Sequence, residues 1–309
     1  MCSVLSVENI EEAGRTIAPA FANTPQFEDE ALRAALGRRL IVKVETVNPV
    51  RSFKGRGADH FMRGLAPGSH VVCASAGNFG LALAWAARHH GITVTVHCAE
   101  HANAVKLARM RSLGARLEIG GQDFDEAKER ALRQAGEDPG TVFVEDGDDS
   151  RITAGAGTIA PELAGLAPDT VLVPVGNGAL VNGVGTWFKA RSPHTRVVGV
   201  CAAGAPAMAL SWRAGEAVST PAVRTAADGV AVRVPVPGAL ATMLKVVDDM
   251  LLVDETAISR AQALAHEHLG LVLEPAGAVA LAAVSGAGPG PEVGERPAVI
   301  LTGGNQAPR

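Results

Sequence analysis

The chain of 309 residues contains no tyrosine, and aromatic residues make up only 4% of it. The absence of tyrosine excludes every mechanism that uses a tyrosine as an acid, a base or a ring platform. The low aromatic content argues against a groove that stacks the bases of single-stranded nucleic acid. Lysine is scarce as well, with six residues in the whole chain. Each lysine can therefore be examined individually as a chemical group.

An excess of positive charge is also missing, because the formal net charge is −4. This balance gives no indication of a nucleic acid or an anionic membrane as a partner. The four cysteines form neither a CxxC pair nor zinc-ligand spacing, so we expect reduced thiols and no metal site. No apolar run reaches about 18 residues, and the N-terminus does not resemble a signal peptide. We therefore expect a cytoplasmic protein without a membrane span.

Hydrophobic residues make up 47% of the chain, which allows a large core. Short β-branched runs alternate with alanine-rich patterns of helical period. Strands are predicted over residues 40–44, 71–74, 92–97, 116–119, 141–144, 171–175, 197–201 and 298–302. Helices are predicted over residues 58–64, 81–90, 102–113, 125–134, 181–190, 256–267 and 278–283. This alternation indicates an α/β protein whose parallel strands are joined by right-handed crossovers.

Two stretches carry little structural signal. Residues 206–237 have weak periodicity, and the pattern predicts no clear element there. Residues 285–297 are of low complexity and predict a surface loop before the last strand.

Glycine is abundant, with 35 residues, and part of it lies in four loops that follow strands or open helices. These loops span residues 74–80, 155–158, 175–180 and 301–305. Free N–H groups at a helix N-terminus bind anions, and glycine lets a ligand approach the backbone closely. Two such loops predict two anionic groups, for example a cofactor phosphate and a substrate carboxylate. Ordinary strand-to-helix turns remain the alternative for any single loop.

A dinucleotide-binding fingerprint is matched only in part. Gly155, Gly157 and Ala160 have the spacing of GxGxxA but do not follow an apolar strand. Gly176 and Gly178 follow a good strand, but valine occupies the third glycine position. No Gly-Lys-Ser or Gly-Lys-Thr triplet occurs, so a Walker A loop is absent. Nucleotide binding is therefore disfavoured.

Lys54 is the lysine whose position is chemically suggestive. It follows a strand and a proline turn and opens a predicted helix, with Arg56 two residues away. A neighbouring arginine and a helix N-terminus would disfavour the ammonium form, and a neutral amine is the nucleophile that forms a Schiff base. By position alone, a solvated loop lysine is the simpler interpretation.

The string around Lys54, VKVETVNPVRSFKGRGA, resembles the lysine segment of the fold-type II pyridoxal-phosphate (PLP) enzymes, in their threonine/serine dehydratase branch. The remaining motifs of that family follow in its order, as SAGNFG, ITAGAGTIAPEL, VGNGAL, ADGVAV, EPAGAVALAA and VILTGGN. Together they span residues 40–305, nearly the whole chain. One such motif would be weak, whereas the ordered set is specific.

The resemblance implies a tryptophan synthase β-like fold with two lobes. Each lobe would be an open, twisted, mostly parallel sheet wrapped by helices, with PLP in the cleft between them. Residues 1–56 and 149–309 would form the large PLP-binding domain, and residues 57–148 the small domain with the substrate-carboxylate loop. The many aliphatic helices lead us to expect a homodimer.

The resemblance also assigns roles to individual residues. Lys54 would bind PLP as a Schiff base and then remove the Cα proton, while Phe53 would flank the ring. Asn78 would contact the 3-oxygen of the ring, and Thr302 its nitrogen. The phosphate would lie on Gly176, Asn177, Gly178, Ala179 and Leu180. The substrate carboxylate would lie on Ser75, Ala76, Gly77 and Asn78.

Several residues depart from the family pattern. Ala76 replaces the serine that reprotonates the substrate in serine racemases, which favours elimination over racemisation. Phe79 stands where dehydratases commonly have histidine, and the end of the strand at Cys201 lacks the acidic residues of a divalent-ion site. Arg51 occupies a position where glycine is commoner. Glu274 we interpret as a structural or supporting residue.

The function implied is PLP-dependent α,β-elimination of a β-hydroxy amino acid such as threonine or serine, which gives a 2-oxo acid and ammonia. A β-replacement synthase is one alternative, although such enzymes have different substrate and phosphate loops. A catalytically degenerate binding homologue is another, against which the intact Lys54, Asn78 and Thr302 argue.

Overall fold

The computed structural model describes residues 4–102, 104–286 and 293–306. The strands are β1 (Gln26–Glu28), β2 (Ile41–Val44), β3 (His70–Ala74), β4 (Thr93–Cys98), β5 (Arg116–Ile119), β6 (Thr141–Phe143), β7 (Thr170–Pro174), β8 (Arg196–Ala202), β9 (Asp249–Val253) and β10 (Pro297–Leu301). The helices are α1 (Val7–Thr16), α2 (Glu30–Leu36), α3 (Lys54–Arg63), α4 (Asn78–His90), α5 (Ala104–Ser112), α6 (Phe124–Glu137), α7 (Ser150–Gly157), α8 (Ile159–Ala164), α9 (Ala179–Arg191), α10 (Ala207–Ala214), α11 (Pro237–Val246), α12 (Glu255–Leu269) and α13 (Pro275–Val284).

The larger sheet has six strands in the order β1-β2-β10-β7-β8-β9. All its neighbours pair in parallel except β1, which runs antiparallel to β2 at the edge. Every residue of β2, β7 and β10 is buried, as expected for continuous apolar strands with helices on both faces.

The smaller sheet has four parallel strands in the order β5-β4-β3-β6. All of its strands come from residues 70–143, between the two chain segments that build the larger sheet. The α/β class with two mostly parallel sheets is therefore confirmed. The proposed domain limits at residues 57 and 148 stay a prediction.

Some elements differ from the sequence-based expectations. The pattern predicts a glycine loop at residues 155–158, but residues 155–157 form the last turn of α7, and Thr158 lies between α7 and α8. It does not predict the three-residue strand β1 or the strand β9. Residues 206–237 contain α10 and one 3₁₀ turn at Asp228–Val230, and many of their side chains are exposed, which explains their weak periodicity. The predicted loop at 285–297 lies partly outside the described residues.

Glycines bring three helices unusually close together. A Cβ added to Gly57 on α3 would lie 2.5 Å from the carbonyl oxygen of Ile152 on α7. A Cβ added to Gly183 on α9 would lie 2.7 Å from the Cα of Gly157 on α7. The glycines therefore pack α3, α7 and α9 backbone against backbone, which any larger residue would prevent.

A buried ionic network anchors the start of α3. Arg56 is fully buried, and its guanidinium donates to Glu45 after β2 and to Glu162 on α8, at 2.9 and 2.7 Å. Lys43 donates to Glu162 at 2.5 Å within the same network. Burial opposes the charge of Arg56, but the two carboxylates outweigh it and raise the pKa of the guanidinium. The network fixes α3 to the larger sheet.

The described cysteines, Cys73, Cys98 and Cys201, are free and buried, and burial raises the pKa of the Cys98 thiol to about 11. Within the described ranges, no helix is long and apolar enough to span a bilayer. Nor do the described His, Cys, Asp and Glu residues form a group able to hold a metal ion.

Candidate functional site

The predicted site residues lie in loops that follow the carboxyl ends of parallel strands, where open α/β sheets bind ligands. Asn78 follows β3 and opens α4, and Thr302 follows β10. Gly176 lies between β7 and α9. Lys54 opens α3, which the chain reaches from β2 through residues 45–53.

Lys54 contacts two groups. Its amine forms an ion pair with the carboxylate of Asp146, in the loop after β6. The same amine lies 4.5 Å from the centroid of the Phe53 ring. Both members of the ion pair are nearly buried, with 14% and 13% of their side chains exposed. The site therefore has a shielded amine whose partner comes from the smaller sheet.

The expectation that Arg56 acts on Lys54 is wrong. The guanidinium of Arg56 is turned into the buried network with Glu45 and Glu162, which neutralise it. Because residues two apart on a helix do not face each other, Arg56 and Lys54 point in different directions. Asp146 is the charged group that meets the Lys54 amine.

Asn78 is held between two other polar side chains. Its amide nitrogen donates to Glu274, and its oxygen accepts a hydrogen bond of 2.9 Å from Asn305. Asn305 is fixed in turn by a 2.7 Å bond to the carbonyl of Val50. These contacts tie the start of α4 to the loop that carries Lys54.

Glu274 is almost completely buried at the N-terminus of α13. Burial raises the pKa of its carboxyl group, and the charge of Lys106 and the hydrogen bond from Asn78 offset this only in part. Its Oε2 atom has no hydrogen-bond partner among the described residues. The direct contact with Asn78 agrees with the supporting role that the sequence indicated.

The loop Ser75–Asn78 forms the N-terminus of α4. The Ser75 hydroxyl accepts from the N–H groups of Gly77 and Gly80, at 3.2 and 3.0 Å. The N–H of Gly77 is thus already engaged. In the described chain the N–H groups of Ala76, Asn78 and Phe79 have no acceptor, so they are available to an anion.

The loop of residues 176–180 provides a second anion cradle. Gly178 has φ +96° and opens α9 without a side-chain cap. A Cβ on Gly176 would lie 2.8 Å from the carbonyl oxygen of Gly229, so only glycine fits there. The N–H groups of residues 176–181 meet no acceptor within the described ranges. Ala179 and Leu180 contribute backbone donors although they are not glycines.

Thr302 lies next to Phe53, whose N–H donates to the Thr302 carbonyl at 3.1 Å. The Thr302 hydroxyl is buried and donates to the carbonyl of Ala276 at 3.3 Å. The hydroxyl keeps lone pairs for a further hydrogen bond. Thr302, Phe53 and Lys54 thus form one contiguous group.

These features fit PLP. The Lys54 amine is available for a Schiff base, the Phe53 ring for packing, and the 176–181 backbone for a phosphate. The buried Oδ1 atom of Asp146 lacks a hydrogen-bond partner in the described chain, so the site retains polar capacity for a ligand.

Sequence reasoning missed Asp146 and Asn305. It also missed Lys106 and Arg109 on α5, whose side chains contact Glu274 and Asn305. The position of Asp146 carries a usable signal, since a loop after a parallel strand of the smaller sheet must lie at the cleft. Lys106 and Arg109 are spaced to share one face of α5, but the pattern does not indicate what that face meets.

Comparisons with known proteins show which family the chain belongs to. The sequence profile of the family described as pyridoxal-phosphate dependent enzyme matches residues 17–303. An L-threonine ammonia-lyase of Thermotoga maritima is 36% identical over 98% of this chain and 76% of its own length. The crystal structure of a threonine deaminase from T.th. has a TM-score of 0.92 and 33% identity, with 98% and 99% of the two chains covered. Maize serine racemase has a TM-score of 0.92 and 28% identity, over 99% and 95%.

Proposed function

The chain belongs to the family of pyridoxal-phosphate dependent enzymes, and we propose that Lys54 is the residue through which it binds the cofactor and acts on its substrate. The protein is a PLP-dependent lyase that eliminates the β-hydroxyl group of a β-hydroxy amino acid, which gives a 2-oxo acid and ammonia. The environment of its amine carries the assignment of Lys54. The amine is shielded from solvent, pairs with Asp146 and lies against the ring of Phe53. The backbone N–H of Phe53 is in turn hydrogen-bonded to Thr302.

Bound PLP supplies an electron sink for the bond between Cα and its hydrogen. The protein holds and orients the cofactor. The free N–H groups of residues 176–181 are proposed to take the phosphate, and Asn78 and Thr302 to take the polar atoms of the ring. The hydrogen bond from Asn305, which is itself held by the Val50 carbonyl, keeps the Asn78 amide in place.

Lys54 is proposed to move the proton. Its amine takes the proton from the substrate Cα, and the Asp146 carboxylate holds the resulting ammonium group in position. Because the side chains of Lys54 and Asp146 are nearly buried, little water competes with the amine for the proton.

The start of α4 is proposed to bind the substrate carboxylate. The N–H groups of Ala76, Asn78 and Phe79 are free, within the described chain, at the positive end of the helix dipole. The Ser75 hydroxyl caps the same turn and keeps these donors oriented. Ala76 offers no hydroxyl group for reprotonating the substrate, so elimination is favoured over racemisation.

Threonine and serine are the first substrates to test, because the relatives in the comparisons are named for them. The holoenzyme is incubated with each amino acid, and release of 2-oxo acid and ammonia is measured. Lys54→Ala is expected to reduce the rate to background, because it removes the amine that is proposed to bind PLP and to take the Cα proton. Lys245→Ala, at an exposed lysine, is the matched control and retains activity.

The same assay separates the alternatives. A β-replacement synthase would release little 2-oxo acid until a thiol or amine acceptor is added. A racemase would give the opposite enantiomer, which chiral chromatography detects. A Lys54→Ala variant that turns over either amino acid as fast as the wild type would contradict the proposed role of Lys54.

We also propose that the protein is a cytoplasmic homodimer. Large apolar side chains remain exposed on the monomer, for example Val47 at 58% and Val272 at 57%, and an interface would cover such surfaces. Free buried thiols in the described chain suit a reducing compartment. Analytical ultracentrifugation tests the dimer, because a sedimenting species of one chain's mass would contradict it.

A further inference from the structure

Two arginines lie close together beside Asn78. Arg109 on α5 donates from its guanidinium to the amide oxygen of Asn305, which itself donates to Asn78. The carbonyl of Arg51 accepts a 3.0 Å hydrogen bond from Gly304, the neighbour of Asn305. The positive charge of Arg51 reaches Arg109, where it adds to the effect of burial and lowers the pKa of that guanidinium. The amide nitrogen of Asn305 also lies 3.5 Å from the Arg51 carbonyl oxygen, so both arginines meet at Asn305, at the edge of the candidate site.

Among the described residues, neither Arg51 nor Arg109 forms an ion pair with a carboxylate within 4.0 Å. An arginine stays charged in a protein, so the repulsion persists at neutral pH. Lys106, one turn earlier on α5, differs because Asp228 lies 2.7 Å from its amine. Two unbalanced like charges, one of them half-buried, mark a place for an anion.

The backbone conformation of Arg51 is a further indication of a functional position. Its φ is +51°, in the left-handed region that glycine adopts more easily. Strain of this kind is often kept at functional positions. Its side chain is exposed and packs into no core, so it contributes no burial to offset that strain.

We propose that Arg51 and Arg109 bind the side-chain carboxylate of an acidic β-hydroxy amino acid, an inference that rests on the proposed elimination reaction. The α-carboxylate is assigned to the free N–H groups at the start of α4. The arginine pair lies one side chain beyond Asn78, which belongs to that turn. Two neighbouring anion sites select a substrate with two carboxylates, and a guanidinium matches a carboxylate with two parallel hydrogen bonds.

The overall reaction is unchanged and balances. The Cα–H bond breaks and its proton passes to Lys54, while its electron pair forms the Cα–Cβ double bond. The Cβ–O bond breaks, and the hydroxyl group takes the proton that Lys54 received and leaves as water. Water then hydrolyses the released enamine to a 2-oxo diacid and ammonia.

The test compares kcat/KM for erythro-3-hydroxyaspartate and for serine on the holoenzyme. The wild type is expected to prefer the acidic substrate. Arg109→Gln removes the charge but keeps a donor for Asn305, and Arg51→Gly suits the local backbone. Each is expected to lower the ratio of the two kcat/KM values by about 10- to 100-fold, as for the loss of a charged hydrogen bond. Arg111→Ala, at an exposed residue of α5, leaves the ratio unchanged.

Succinate gives a second readout without turnover. Calorimetry is expected to show that succinate binds the wild-type holoenzyme more tightly than Arg109→Gln, with Arg111→Ala equal to the wild type. Turnover of serine or threonine with no preference for hydroxyaspartate overturns the arginine assignment and leaves the proposed function standing. If none of the three amino acids reacts, the proposed function fails, and the dependence of succinate binding on Arg109 alone decides this inference.

Discussion

At the scale of single residues, Glu274 shows how burial changes a group beside the candidate cofactor site. Burial raises the pKa of its carboxyl group above the ordinary 4.5. Above pH 4.5 the native state therefore holds this proton more tightly than the unfolded state, and stability falls as pH rises. The amide of Glu274→Gln does not titrate. The free energy of unfolding of this variant, relative to that of the wild type, is therefore expected to increase as pH rises above 4.5.

Urea unfolding at a series of pH values measures that difference. Glu267→Gln, at an exposed glutamate on α12, controls for the loss of one negative charge. A Glu274→Gln curve that runs parallel to the wild type at all pH values would contradict a buried carboxyl with a raised pKa.

The sequence indicates some site residues and hides others for a physical reason. Lys54, Asn78 and Thr302 stand in motifs next to strands, where local order fixes their place. Arg109 and Asn305 meet only because α5 packs across to the loop after β10. A contact between residues almost 200 positions apart has no local signature.

At the scale of elements, close helix packing accounts for glycines that the loops do not explain. Gly183→Ala on α9 is expected to destabilise the fold by roughly 1–3 kcal/mol, because its Cβ would overlap the backbone of α7. Gly136→Ala near the end of α6 is the matched control, since it meets nothing within 4 Å. That control is expected to stabilise the protein by about 0.5–1 kcal/mol. Thermal unfolding that ranks the two variants the other way would refute the packing argument.

The network at the start of α3 gives a second element-scale prediction. Arg56→Met leaves Glu45 without its cationic partner and Glu162 with Lys43 alone, and breaking a buried ion pair in this way costs roughly 3–5 kcal/mol. Arg63→Met on the same helix removes an exposed guanidinium 4.0 Å from Asp59 and is expected to cost under about 1 kcal/mol. Equal losses in urea unfolding would mean that the network does not anchor α3.

The alternation of runs predicts the parallel sheets because buried strands carry continuous apolar residues. The prediction of elements from this alternation fails where the apolar pattern is weak. β1 is only three residues long, and α10 lies in a stretch with many exposed side chains. The loop prediction at Gly155–Gly157 is wrong because glycine usually marks turns, whereas here it serves helix packing.

At the scale of the whole molecule, polar contacts join the two sheets across the site. Lys54 meets Asp146, Lys106 meets Asp228, and Asn78 meets Glu274. A ligand held by both sides is expected to stabilise the fold, by about 2.7 kcal/mol at a concentration about 100 times its Kd. PLP is therefore expected to raise the Tm of the apoenzyme, and pyridoxal, which lacks the phosphate, to raise it much less. Equal shifts would mean that the 176–181 backbone does not hold the phosphate.

The central claim is that Lys54, alone among the six lysines, carries the cofactor. Borohydride reduces a Schiff base to a stable amine, so the holoenzyme can be reduced, digested and mapped by peptide mass spectrometry. The account predicts the added pyridoxyl mass on the peptide that contains Lys54, and no such mass in Lys54→Ala. A label on another lysine, or none on the reduced wild-type holoenzyme, would contradict the account.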